Sequence, residues 1–154
     1  KVLTVLGAEM PPGMEVLEVV ETDRTPFTEL LTASAWLIAP AGEVAELAEA
    51  VEAVMTAETV EVERMTKSGM RTFDVRAALI GLDVSDGKLR LMLRHVTPLV
   101  RPDDVLRALA EKCPALDVDA ARATRLAQGA CDEDASGVST VLADPFSRAA
   151  VTVW

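Results

Sequence analysis

Between residues 59 and 96 the chain twice runs out in alternation, turns at a glycine and alternates back. Val60 and Val62 oppose Glu61 and Glu63, Lys67-Ser68-Gly69 turns the chain, and Arg71–Val75 resumes with Phe73 and Val75 on one side. Leu79–Val84, Ser85-Asp86-Gly87 and Lys88–Val96 repeat the plan. Leu89, Leu91 and Leu93 then share one face, and Lys88, Arg90, Met92 and Arg94 share the other. Period two marks a half-buried strand, and a short glycine-bearing turn between two such runs marks a hairpin. Two hairpins in succession point to an antiparallel sheet, because a parallel one needs strands separated by regular helical crossovers.

The helices have a different period. Val44, Leu47, Ala48, Val51, Val54 and Met55 recur at spacings of three and four, which predicts an amphipathic helix over residues 43–57. Its glutamates, Glu43, Glu46, Glu49 and Glu52, fall mostly opposite the stripe and read as a solvated face. Pro102-Asp103-Asp104 opens a second helix with the residues that suit a first turn, Val105, Leu106, Leu109 and Ala110 form its stripe, and Pro114 stops it. The expected fold class is therefore α+β, an antiparallel sheet of hairpins with two main amphipathic helices packed on one face. Phe73, Val75, Leu89, Leu91 and Leu93 should be buried toward the first of those helices.

The remaining text is weaker. Residues 2–9 read as the end of a helix and Met10-Pro11-Pro12-Gly13-Met14 as a loop. Val16–Val20 reads as a β-branched strand, Phe27–Leu31 as a short helix, and Ala33–Ala39, with Trp36, as a strand. Ala123–Gln128 is expected to be the last strand. Gly129–Asp134 is small and acidic, and the end of the chain, with Val138, Val141, Leu142, Val151 and Val153, is weakly patterned. The organisation expected is one domain over residues 1–128, followed by an acidic loop and tail over 129–154.

At 154 residues the chain is one domain's worth. It lacks a membrane-spanning apolar run and a signal-peptide pattern, and two cysteines, Cys113 and Cys131, are too few for a disulfide framework. A cytoplasmic protein is the expectation. The chain opens on Lys1 inside what reads as an element, so a fragment of a longer protein is expected too. There is no GxSxG, Walker-type or GxGxxG pattern and no thiolate cluster, and no cofactor or metal is implied. The one histidine, His95, falls on the leucine face near a strand end and reads as a core or boundary residue.

Charge supplies the functional hint. The net charge is −10, which excludes an overall basic nucleic-acid binder. Residues 1–63 hold 2 basic and 13 acidic residues, residues 64–101 hold 8 and 3, and residues 102–154 hold 5 and 9. A basic middle thus lies between acidic flanks, and an anion-binding face is expected there. Its candidate residues are Lys67, Arg71, Asp74, Arg76, Lys88, Arg90, Arg94 and Arg101, with Asp74 and Arg76 able to pair as carboxylate and guanidinium. If the anion is RNA, contacts should be mainly to phosphate, since the region offers only Phe73 for stacking and alternation turns it inward.

Several motifs resemble a known family. Pro11-Pro12-Gly13-Met14-Glu15-Val16-Leu17-Glu18 is similar to the "PPGIxVLE" segment of the radical SAM-linked protein family. Thr66-Lys67-Ser68-Gly69 and Phe73-Asp74-Val75-Arg76 resemble its "TKKG…VDIRP" hairpin, with Ala77 where proline is common. Val100-Arg101-Pro102-Asp103-Asp104-Val105-Leu106-Arg107-Ala108-Leu109 resembles its "VRPxEVLxAL" helix start, and Ala123-Thr124-Arg125 its late "xxR" strand. The family's N-terminal "HLDLMR" and "GFNPxPxxSF" segments have no counterpart here. The resemblance implies a domain encoded beside, or fused to, a radical SAM enzyme, with some versions neighbouring a ribonuclease E/G-type protein. Without a CxxxCxxC, this chain is not itself the radical enzyme. The function so implied is an accessory domain that presents an anionic substrate, RNA among the candidates, to a radical SAM partner. Two alternatives stand beside it: an enzyme in its own right, with Asp74 as base and Arg76 orienting it, and a protein–protein scaffold.

Overall fold

The computed structural model describes residues 1–42, 44–131 and 141–153. Its frame is a four-stranded antiparallel sheet built from β1 (Ala33–Ala39), β4 (Leu79–Ser85), β5 (Lys88–Arg94) and β6 (Arg122–Gly129), in the order β4-β5-β1-β6. The first hairpin, β2 (Glu61–Thr66) and β3 (Gly69–Asp74), forms a two-stranded sheet of its own. Two helices, α2 (Leu47–Thr56) and α3 (Pro102–Lys112), join it on one side of the larger sheet, after a short exposed α1 (Val2–Glu9). This is the α+β architecture that the two periodicities imply. No helix among the described residues is long and apolar enough to cross a membrane.

Alternation chose the correct face. Leu89, Leu91 and Leu93 are buried in one cluster with Ile38 of β1, Val62 and Phe73 of the small hairpin, and Leu47, Val51 and Val54 of α2. α3 adds Val105, Leu106 and Leu109 to it. Each wholly buried leucine contributes roughly 1.5–3 kcal/mol by leaving water. The shared stripe is what holds the helices to the sheet.

The opposite face is not free. Met92 is fully buried there with Ala33, Ala35 and Ile80, beneath Cys131 and Leu142. Leu142 belongs to a C-terminal hairpin, β7 (Val141–Ala143) and β8 (Ala150–Thr152), which folds back onto the sheet. The Ala143 N–H donates to the Ala130 carbonyl, and the Ala143 backbone presses on Gly129 so closely that a Cβ there would lie 2.0 Å from its oxygen. The acidic stretch expected at Gly129–Asp134 falls largely on residues outside those described, as does Val138.

One expected element is absent. Residues 16–20 form no strand, and Leu17, Val19 and Val20 are exposed. β-branched residues fit a pleated surface but cannot supply the hydrogen-bonding neighbour a strand needs, and no described strand pairs with this segment.

Candidate functional site

The residues expected to bind an anion divide into groups. Asp74 and Arg76 do not pair. Asp74 Oδ1 accepts the backbone N–H of Val60 and of Arg76, each at 3.0 Å. The Arg76 guanidinium donates to the carbonyls of Met55, at 3.2 Å, and Leu79, at 3.3 Å. Asp74 ties the end of β3 to the residue before β2, and Arg76 ties it to the end of α2, which spends on backbone the groups that a base and its orienting cation would require. Arg90 is held by Asp83 of the neighbouring strand through two hydrogen bonds, at 2.6 and 2.7 Å. That pairing raises the Arg90 pKa above its ordinary value. Lys88 is exposed at the β4–β5 turn, and Arg94 lies at the other end of the same strand. Because the two hairpins belong to different sheets, Arg71 does not share a sheet surface with Lys88, Arg90 and Arg94. The continuous basic sheet face expected from placing the hairpins side by side is therefore not formed.

Lys67, Arg71 and Arg101 do come together. With Arg64, Phe73 and Pro98 they line a cleft of about 480 Å³ between the small hairpin and the loop that leads into α3. Among the described residues no carboxylate lies within ion-pair distance of Lys67, Arg71 or Arg101. Arg64 is different. Its guanidinium stacks on the Phe73 ring, 4.2 Å from the centroid, and pairs with Asp104. Asp104 is wholly buried, and its Oδ2 also accepts the Arg101 N–H at 2.9 Å, which caps the helix start. Arg107 is 3.7 Å from the other oxygen. Asp104 therefore fixes the spot from which Arg101 projects.

Arg101 also borders a second cavity, of about 500 Å³, over the β6 end of the leucine face. Here the inward positions are polar. Ser34 and Trp36 of β1 stand beside Gln128 and Arg125 of β6, with His95 just past the end of β5. His95 Nδ1 lies 2.5 Å from the Leu31 carbonyl, which can only accept, so Nδ1 carries the proton when the ring is neutral. Nε2 is then the acceptor for the Ser34 hydroxyl at 3.1 Å, while Trp36 Nε1–H donates to Ser34 Oγ at 2.8 Å. The Arg125 guanidinium sits over the indole, 5.6 Å from its centroid.

The register explains how Gln128 and Arg125, three residues apart, reach one face. Ala35 is opposite Ala127, yet Trp36 is opposite Arg125, so Leu126 is an extra residue. This bulge reverses the alternation and turns Arg125 inward. Ser34, Trp36, Arg125 and Gln128 were not identified from the sequence. The signals available were the polar Ser34 within an otherwise apolar strand, the lone histidine, and Arg125 as the fixed letter of the late "xxR" resemblance. Among the described residues no group of three or more His, Cys, Asp or Glu side chains could hold a metal ion.

The chain is thus a small α+β domain with cationic side chains gathered at the start of one helix. The chain belongs to the family described as an uncharacterized protein conserved in bacteria (DUF2344), whose pattern matches residues 1–102. That match includes both hairpins and ends at the first residue of α3. No curated protein and no solved structure matches the chain.

Proposed function

We propose that this domain is an accessory module that holds an anionic substrate, RNA first among them, for a radical SAM enzyme. The observation that carries the reading is the convergence of Lys67, Arg71 and Arg101 on one cleft, without a described carboxylate to neutralise them, in a chain of net charge −10. The acidic flanks of the chain disfavour a polyanion over much of its surface, so this cleft is where one would dock. The partner rests on the resemblance of the hairpin and helix-start motifs to radical SAM-linked proteins. Contacts would go to phosphate, because Phe73 is buried and its ring is already covered by Arg64.

The test is a titration of single-stranded RNA at several salt concentrations, with wild type and the Lys67→Glu/Arg71→Glu variant. Two lost phosphate contacts should weaken binding and flatten the slope of log affinity against log salt by about 1.4. Equal affinity and slope for the two proteins would refute the cleft as the RNA site. Co-purification with a radical SAM enzyme of the same organism, or its absence, tests the partnership separately.

A further inference from the structure

We propose that the cavity over β6 is a binding site for a small planar monoanion, an aromatic or heteroaromatic carboxylate or its sulfonate analogue. The cavity's roughly 500 Å³ falls within the range of small-molecule sites. Trp36 supplies a flat apolar wall, with Leu99 and Pro102 nearby. The indole is fixed in place by its hydrogen bond to Ser34, and Ser34 in turn by His95 and the Leu31 carbonyl. Three polar side chains that satisfy one another keep the floor in shape without a ligand, which lowers the cost of binding one.

Charge selects the class. Arg101 and Arg125 face the cavity, with Asp103 the carboxylate opposing them. The balance is one positive charge, which suits one negative group and not a polyphosphate. Arg125 and Trp36 stand together at the cavity, so a ring resting against the indole would bring its acidic substituent to the guanidinium. The Leu126 bulge is a second, independent sign. It interrupts a regular ladder with the result that Arg125 enters the cavity, and bulges recur where a strand must re-aim a side chain at a site. In a cavity between Val20–Leu30 and Pro145–Arg148 the lining cation is already engaged: Arg148 pairs with Asp23, and Phe27 packs on Phe146.

The probe is 8-anilinonaphthalene-1-sulfonate, titrated into Trp154→Phe protein so that Trp36 is the sole tryptophan. Trp36 emission should fall as the dye's emission rises. Adding Arg125→Gln should weaken binding roughly tenfold, the loss of one charge-assisted hydrogen bond. Uncharged N-phenyl-1-naphthylamine should bind more weakly than the sulfonate and be indifferent to that change. Arg125 is exposed, so the variant should fold, and circular dichroism checks that it does; Arg101→Gln provides a second loss of charge at the same cavity. Lys67→Glu/Arg71→Glu should leave dye binding unchanged, which separates this site from the RNA cleft. Dye binding that leaves Trp36 emission constant, or sulfonate affinity that survives both arginine changes, overturns the proposal.

Discussion

One face of one sheet ends in two ways. Over β4, β5 and the adjoining end of β1, the inward side chains are Leu89, Leu91 and Ile38, and two helices close over them. Over the β6 end the same face presents Ser34, Trp36, Arg125 and Gln128 and remains open. Each half carries one register shift, at Leu126 of β6 and at Ile80 of β4, so a bulge by itself does not separate them. Side-chain chemistry does. A helix with an apolar stripe gains nothing by covering arginine and glutamine, which would lose water without finding partners. A core and an open polar cavity are thus neighbouring outcomes of a single ladder, decided by what stands at the inward positions.

The contrast can be broken most severely in the closed half. Leu89→Ala should destabilise the fold by roughly 2–5 kcal/mol, read from the midpoint of urea unfolding, because the packed surroundings cannot collapse onto the space left. Gln128→Ala, on the open half, should move that midpoint by no more than about 0.5 kcal/mol. Similar costs at both positions would mean that the open half is as tightly packed as the closed one. At the boundary, Asp104→Asn should destabilise by roughly 3 kcal/mol, since it strands the largely buried Arg64 guanidinium and weakens the cap of α3. Thermal unfolding checks this, and a fall in RNA affinity of the still-folded variant would show that Asp104 positions Arg101.

The smallest effect concerns acid. Asp23 is held below the ordinary carboxylate range by hydrogen bonds from Thr25, with a lesser contribution from Arg148. Asp144 is lowered by hydrogen bonds from the backbone and hydroxyl of Ser147. Groups depressed in the folded state stabilise it above their unfolded pKa and cease to as pH falls through the folded value. The corner where Phe27 meets Phe146 should therefore loosen slightly below about pH 4. Both carboxylates are exposed, so the change belongs in nuclear magnetic resonance titrations of Thr25 and Ser147, with global stability little altered. Ordinary carboxylate titration at both positions would contradict it.

Much of the closed half was legible because its information is local. Period-two leucines, Gly69 and Gly87 at the turns, and Pro102 at a helix start each act within a few residues. The open half was not. Ser34 and His95 are 61 residues apart, and only the β1–β5 register brings them together. Arg125 was hidden by a bulge, which breaks the alternation that reading a strand depends on. Closeness in sequence also misled: Asp74 and Arg76 are two residues apart, yet each found backbone partners before finding the other. The β-branched run at Val16–Val20 shows the remaining limit, since a propensity for strand carries no information about whether a neighbour exists.

The contact at Gly129 has a consequence for how the molecule opens. Of the described side chains in residues 141–153, Leu142 alone is buried, and the Ala143 backbone can approach β6 only because position 129 carries no side chain. The C-terminal hairpin is therefore latched by an absence, and one added methyl group would act as a wedge beneath it. Loss of the hairpin should leave the leucine cluster on the opposite face in place, since that cluster takes no side chain from it. Hydrogen exchange should accordingly report two tiers of opening, an outer one at the C-terminal hairpin and an inner one shared by the sheet and its helices.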